Sequence, residues 1–125
     1  PLRFLAREAR GVRHHHERFD GTGYPDGLRG EDIPLVARVV TVADVFDAIT
    51  SDRPYRIALP LERARAKVEA GRAQHFDPQV VDAFTSIPLE RLQEIAVHYE
   101  GIMATAGRPA DEAPRTPTPV LVSTP

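Results

Sequence analysis

A run of sixteen residues from Leu35 to Thr50 constrains the fold more than any other feature of the sequence. It is almost wholly apolar, and its two carboxylates are Asp44 and Asp47. Hydrophobicity alone would also allow a buried strand, but the run is longer than a usual strand and Pro34 stands where a helix can begin. A helix that is apolar on nearly all sides is typical of the centre of a helical core. The run therefore predicts an all-α fold with both carboxylates inside the core.

Amphipathic spacing and helix-boundary residues predict four further helices. They cover Leu2 to Val12 as the end of a helix begun upstream, Leu61 to about Ala70 between Pro60 and Gly71, Pro78 to about Ser86 with Asp77 as N-cap, and Leu89 to about Met103. Residues 104–125 hold five prolines among small and polar residues. We therefore expect one helical domain over residues 1–103 and a disordered Pro-rich tail over residues 104–125.

Composition narrows the chemistry that the chain can perform. It has no cysteine, so disulfides and thiolate metal sites are excluded, and His, Asp and Glu are the strong metal ligands that remain. A formal charge of -2 argues against binding long nucleic acid but permits a small anionic ligand. No apolar run reaches the roughly 20 residues needed to span a bilayer. We expect a soluble, cytoplasmic segment, and its start at Pro1 rather than Met indicates a fragment.

Three features suggest a metal site: the cluster His14-His15-His16-Glu17, the loop Asp20-Gly21-Thr22-Gly23-Tyr24-Pro25, and Asp44. Taken singly, each has a simpler explanation, namely a surface cluster, a turn, and a hydrogen-bonded core residue. Burial of the Asp44 carboxylate would cost several kcal/mol unless a cation or strong hydrogen bonds compensate it. Neighbouring histidines on a helix diverge by about 100°, which suits two ions better than one. Pairs of metal ions commonly catalyse the cleavage of phosphodiesters in enzymes.

Five ordered motifs resemble the second half of HD-GYP domains. They are HHERFDGTGYPDGL (15–28), EDIP (31–34), ADVFDA (43–48), TSDRPYR (50–56) and FDP (76–78). The resemblance extends from about Leu2 to about Leu92. It implies a helical bundle of the HD-domain type, truncated at its N-terminal side, from a bacterial phosphodiesterase module that hydrolyses cyclic dinucleotides.

The resemblance also implies roles for individual residues. The metal ligands would be His15, His16 and Asp44, in a di- or trinuclear centre of iron or manganese. Arg53 and Arg56 would face the phosphates of the substrate, a task that suits the planar fork of arginine.

Other residues would support or surround these ligands. Gly23, Tyr24 and Pro25 form the loop that names the family and is expected to meet diguanylate cyclase (GGDEF) partners. Glu17 and Asp20 are candidates for residues that orient the ligating imidazoles. A structural role is expected for the polar residues Asp47, His75, Asp77 and His98, and His14 ranks below His15 and His16 as a ligand.

The expected function is hydrolysis of cyclic di-GMP to linear pGpG or GMP, in a protein with an upstream sensor or receiver domain. A whole HD-GYP domain also carries a His-Asp doublet, which occurs nowhere in this sequence. We therefore expect the chain alone to be inactive. Two alternatives stay open: a degenerate module that binds a cyclic dinucleotide or a signalling partner without catalysis, and a phosphohydrolase for a mixed cyclic GMP-AMP dinucleotide.

Overall fold

The computed structural model describes residues 5–52 and 54–106, and this part of the chain is helical. Its elements are α1 (Leu5–His14), a 3-10 turn (Gly30–Asp32), α2 (Leu35–Thr50), α3 (Leu61–Ala70), α4 (Pro78–Thr85) and α5 (Leu89–Ala106). These described residues contain no β-strand, so the predicted all-α class is confirmed. Arg53 and the part of the expected tail from residue 107 onward lie outside the described residues.

The helix boundaries follow mainly from local sequence. Helix α2 begins directly after Pro34, and α3 begins directly after Pro60. Asp77 caps α4, because its carboxylate accepts a hydrogen bond of 2.8 Å from the backbone N–H of Gln79. The end of α5 was predicted too early, since the helix continues to Ala106. Residues 104–106 therefore belong to a helix and not to a tail.

The core lies where α2, α3 and α4 meet. Helix α2 packs against α1, α3 and α4, and α3 also packs against α4. Val42, Val68, Phe76 and Val81 form the buried cluster, with partly buried apolar side chains packed against it. Four large apolar groups from these three helices and the loop before α4 therefore stabilise one small core, mainly by removing apolar surface from water.

Helix α2 is buried on one side only, which corrects the expectation from its composition. Ala37, Thr41 and Val42 are buried. The rest of its surface is exposed, and it carries Leu35, Val36, Val39, Val40, Asp44 and Asp47. The prediction that Asp44 and Asp47 lie inside the core is therefore wrong. The physical reason is that α1, α3 and α4 cover a single side of this helix.

The contacts divide the chain into a first compact unit that ends at Gln93 and a second that begins at Glu94. The second unit consists, among its described residues, of the later turns of α5, whose apolar side chains Ile95, Val97, Tyr99 and Ile102 are exposed. No helix in the described part of the chain combines the length and apolar character needed to cross a membrane.

Candidate functional site

Backbone hydrogen bonds fix the loop between α1 and α2 at several points. The N–H of Phe19 donates to the carbonyl of His75 at 3.2 Å, and the N–H of Asp20 donates to the carbonyl of Gln74 at 2.9 Å. The Asp20 carboxylate accepts hydrogen bonds from the hydroxyl and the N–H of Thr22 at 2.6 and 3.0 Å. These two bonds hold the pKa of Asp20 below its ordinary value, with a smaller contribution from the positive charge of Arg18.

The buried carboxylate of Glu17 anchors the far side of this loop. Only 2% of Glu17 is exposed. Its Oε1 accepts from the N–H of Asp26 at 2.7 Å, and its Oε2 accepts from the N–H of Leu28 at 3.0 Å. Two part-buried backbone donors of the loop are thereby satisfied. The hydrogen bonds of Glu17 and Asp20 within the described residues thus orient the loop, and none of them comes from the imidazoles of His15 or His16.

A close backbone approach shapes the same loop at Gly23. A Cβ at this position would lie 2.4 Å from the backbone nitrogen of Arg18 and 2.6 Å from the carbonyl oxygen of His16. Only glycine permits this approach without moving the backbone. Gly23 therefore allows the next residue, Tyr24, to lie beside the end of α1.

His15 and His16 follow the last residue of α1, so their side chains do not diverge as they would on a helix. Their ring centroids lie 4.0 Å apart, and the ring of His16 also stacks on Tyr24 at 5.1 Å. Nδ1 of His15 lies 2.6 Å from the carbonyl oxygen of Val12. Because a carbonyl can only accept, Nδ1 carries a proton, and in the neutral imidazole the lone pair is then on Nε2. Metal-binding histidines are commonly oriented by a bond of this kind.

One face of α2 connects these histidines with the other predicted site residues. The hydroxyl of Thr41 donates to the carbonyl of His15 at 2.7 Å. Asp44 follows three residues after Thr41, and Ala48 follows four residues after Asp44, so the three share one face of the helix. The guanidinium of Arg56 donates through Nη2 to the carbonyl of Ala48. His15, Asp44 and Arg56 are thus distributed along about 10 Å of a single helix face.

Arg56 belongs to an exposed segment that follows α2. The N–H of Ala58 donates to the Asp52 carboxylate at 2.8 Å, and the N–H of Leu59 donates to the carbonyl of Ile49 at 2.8 Å. Arg53 lies outside the described residues, so of the two predicted phosphate ligands the structure describes the contacts of Arg56. The exposed guanidinium of Arg56 has more N–H donors than its bond to Ala48 uses.

The predicted metal ligands are chemically suited to bind a metal ion, although the argument from the burial of Asp44 fails. Asp44 is exposed, so its carboxylate needs no cation to compensate burial. Two imidazoles, one of them oriented by a backbone carbonyl, and a carboxylate are ligand types that iron, manganese and zinc accept. Among the described residues, however, the ligand atoms of His15, His16 and Asp44 do not all lie within 4.8 Å of one another.

A second group of potential metal ligands was missed from the sequence. Among the described residues, the group with ligand atoms all within 4.8 Å of one another consists of His14, Glu17 and Asp26. The spacing of His14 and Glu17 by three residues at the end of a helix was visible in the sequence, but the return of Asp26 to the same point depends on the loop.

Comparisons with known proteins agree with the helical architecture. A family model described as "HD domain" matches residues 1–80. The cyclic di-GMP phosphodiesterase response regulator RpfG of Xanthomonas campestris is 61% identical over 69 residues, which are 55% of this chain and 18% of that protein. A cyclic di-GMP phosphodiesterase of Vibrio cholerae is 46% identical over 86 residues, which are 69% of this chain and 17% of that protein.

A solved structure also resembles the chain. A crystal structure of a cyclic GMP-AMP specific phosphodiesterase of Vibrio cholerae superposes with a TM-score of 0.58 at 30% identity, and the match covers 84% of this chain and 23% of the other. The chain thus spans less than a quarter of the length of each of these three proteins.

Proposed function

The chain belongs to the HD domain family, and from this premise we propose that it supplies part of the active site of a metal-dependent phosphodiesterase for cyclic dinucleotides. Family membership confirms the resemblance expected from the motif over residues 15–28. Members of this family depend on metal ions. The relatives that match are named as cyclic di-GMP and cyclic GMP-AMP phosphodiesterases, which supports the same activity here.

The observation that carries the proposal is the shared face of α2. Thr41 bonds to the backbone of His15, Asp44 follows one turn later, and Arg56 bonds to the backbone of Ala48 after one further turn. This helix face therefore brings residues that could bind a metal ion and a residue that could bind a phosphate to one region of the protein.

Each residue has a defined task in this proposal. The Val12 carbonyl keeps the proton of His15 on Nδ1, and the ring of Tyr24 holds the imidazole of His16 in place. His15, His16 and Asp44 hold the metal centre, which we propose to be a di- or trinuclear centre of iron or manganese. Such a centre, when bound, would polarise the phosphoryl oxygens and lower the pKa of attacking water. Arg56, together with Arg53, pairs with phosphate oxygens and orients the substrate.

Cyclic di-GMP is the proposed substrate, because two of the three relatives described above are named for it, and the product would be linear pGpG or GMP. We place the protein in the cytoplasm, where this nucleotide would act as a signal. Tyr24 is 63% exposed, so the loop Gly23-Tyr24-Pro25 also has surface available for the proposed contact with a diguanylate cyclase domain. An upstream sensor or receiver domain would control the activity. The proposed domain covers residues 1–103.

The test uses the complete protein in which this chain occurs. Its metal content is determined, and its hydrolysis of cyclic di-GMP and of 3'3'-cGAMP is measured beside a His15→Ala, His16→Ala double variant. We expect the double variant to lose at least about a hundredfold in kcat, because loss of ligands exceeds the effect of losing residues that only orient them. We expect Arg56→Ala to act mainly on KM. The 125-residue chain by itself is expected to be inactive.

Matched controls separate this site from general damage to the protein. His98→Ala removes an exposed histidine of α5, and Arg63→Ala removes an exposed arginine of α3. Both controls should keep full activity. A folded, metal-loaded protein that hydrolyses neither nucleotide would replace the enzyme proposal with the binding-module alternative, and hydrolysis of 3'3'-cGAMP alone would change the substrate.

A further inference from the structure

A compact group of three ligand-type side chains lies outside the proposed catalytic face. His14 is the last residue of α1, Glu17 is the buried anchor of the loop, and Asp26 lies in the loop itself. Nδ1 of His14 is 3.6 Å from Oε1 of Glu17 and 3.6 Å from Oδ2 of Asp26. All three ligand atoms lie within 4.8 Å of one another.

These distances are too long for hydrogen bonds, which are about 2.7–3.2 Å for nitrogen and oxygen atoms. They are close to the separations in a coordination shell. Two atoms bound to zinc at about 2.0–2.2 Å lie about 3.3–3.6 Å apart when the angle between the bonds is tetrahedral. The two distances from Nδ1 of His14 therefore match the edges of a metal site better than hydrogen bonds.

The environment of His14 points to a ligand independently of the distances. The side chain of His14 is 9% exposed, and its Nδ1 is buried without a hydrogen-bond partner. A buried polar atom without a partner costs about 1–3 kcal/mol. This atom is directed at two carboxylates, and a bound cation would satisfy it.

The two carboxylates keep free capacity for such a cation. Oε1 of Glu17 accepts one backbone hydrogen bond and has a second lone pair. Arg13 binds Asp26 mainly through Oδ1, at 2.9 Å from Nη2, and its contact with Oδ2 is the longer one, at 3.3 Å. Oδ2, the oxygen that faces His14, is therefore the more weakly engaged of the two.

We propose that His14, Glu17 and Asp26 form a second metal site, specific for a divalent transition metal such as Zn²⁺ and separate from the catalytic ligands His15, His16 and Asp44. One imidazole and two carboxylates are ligands that Zn²⁺ accepts. The Asp26 side chain is 39% exposed, so the metal can enter from solvent and keep a water ligand.

The proposed ion has a structural task. It joins the end of α1 to Asp26, on the far side of the turn that contains Tyr24 and Pro25. Because Tyr24 stacks on His16, a metal here would stiffen the support of a proposed catalytic ligand without touching the substrate. The site would therefore change the stability of the loop more directly than the chemistry.

The test measures Zn²⁺ binding to the 125-residue chain in a His15→Ala, His16→Ala background, which removes two of the three proposed catalytic ligands. Isothermal titration should detect one Zn²⁺ per chain, and Co²⁺ should give the visible absorption of a four-coordinate site. Adding Asp26→Asn should weaken Zn²⁺ binding by at least about a hundredfold, because loss of a residue that only orients a ligand costs about 10–100-fold. His14→Ala should abolish the Co²⁺ absorption.

The matched control is Asp82→Asn, because Asp82 is also an exposed aspartate held by two hydrogen bonds from one arginine, Arg72. This variant should bind Zn²⁺ as its parent does. Circular dichroism verifies the fold of every variant, and Zn²⁺ should raise the unfolding midpoint of the parent but not of the Asp26→Asn variant. Absence of Zn²⁺ binding, or binding that Asp26→Asn and Asp82→Asn change equally, would overturn the proposal. Neither result depends on phosphodiesterase activity.

Discussion

Two irregular segments flank α2, and the structure holds them in different ways. The loop before the helix, residues 15–33, has the buried carboxylate of Glu17 at one end and the buried side chain of Ile33 at the other. In the segment after the helix, residues 51–60, Tyr55 and Ile57 are 87% and 85% exposed. Both segments are rich in turn-forming and charged residues, so composition does not distinguish them.

The difference lies in where the backbone hydrogen bonds end. Bonds in the first segment end on a buried carboxylate and on the carbonyls of residues 74 and 75. In the second segment one bond ends on the carbonyl of Ile49, and the exposed carboxylate of Asp52 accepts one bond from within its own segment. Water competes with an exposed bond more effectively than with a buried one. We therefore expect the first segment to be a rigid support for His15 and His16, and the second to adapt to what Arg56 binds.

The largest expected effect is the difference in stability loss between removing Glu17 from the first segment and removing Asp52 from the second. Glu17→Ala removes a buried carboxylate and the two charge-assisted hydrogen bonds that it accepts from the part-buried N–H groups of Asp26 and Leu28, and it should lower the free energy of unfolding by about 3–5 kcal/mol. Asp52→Ala removes one exposed bond and should cost about 1 kcal/mol or less. Urea unfolding followed by circular dichroism measures both. Equal losses would remove the distinction between a rigid and an adaptable segment.

A smaller effect is expected from glycines within the first segment. Gly23→Ala forces the Cβ against the backbone of Arg18 and His16 and should cost about 2–3 kcal/mol. Gly30 has a φ of +58°, but a Cβ there would meet no atom within 4 Å, so Gly30→Ala should cost only the about 1 kcal/mol of its left-handed backbone conformation. Urea unfolding midpoints of the two variants give the ranking. A greater loss in Gly30→Ala would mean that the close approach at Gly23 is not rigid.

The smallest effect concerns pH. Burial, followed by the positive charge of Arg18, lowers the pKa of His75 below its ordinary value of 6.5. The unfolded state therefore binds a proton more readily, so the stability contributed by neutral His75 is present above pH 6.5 and is lost as the pH falls through the lower folded pKa. Asp20, whose pKa is also lowered, keeps its charge until below its ordinary value of 3.8, so it does not interfere near pH 5–6.

Urea unfolding of the wild type and of His75→Gln at about pH 7.5 and about pH 5.5 measures this contribution. We expect the wild type to lose more stability than the variant on acidification. The same pH dependence in both proteins would show that His75, which accepts a bond from the loop through its backbone carbonyl, does not link the loop to pH.

Sequence reasoning worked well for features that depend on neighbouring residues. The bounds of α2 and α3 follow from the prolines before them, and the cap of α4 follows from Asp77. Sequence reasoning failed where the burial of a side chain depends on elements that are distant in the chain. The composition of α2 indicated a helix buried all round, but the number of helices that cover it is not encoded in its own residues. The same limit led to the wrong prediction that Asp44 is a buried carboxylate.

The features of the candidate site also divide into those that depend on neighbouring residues and those that depend on distant elements. The sequence by itself determined the helical class, the starts of α2, α3, α4 and α5, the HD domain family and the candidates His15, His16, Asp44 and Arg56, because short-range spacing and ordered motifs carry that information. Only the tertiary structure decided that Thr41 joins His15 to α2, that Asp44 is exposed, and that Asp26 returns to His14 and Glu17. These features depend on contacts between residues far apart in the chain, and such contacts form only when the loop and α2 pack together.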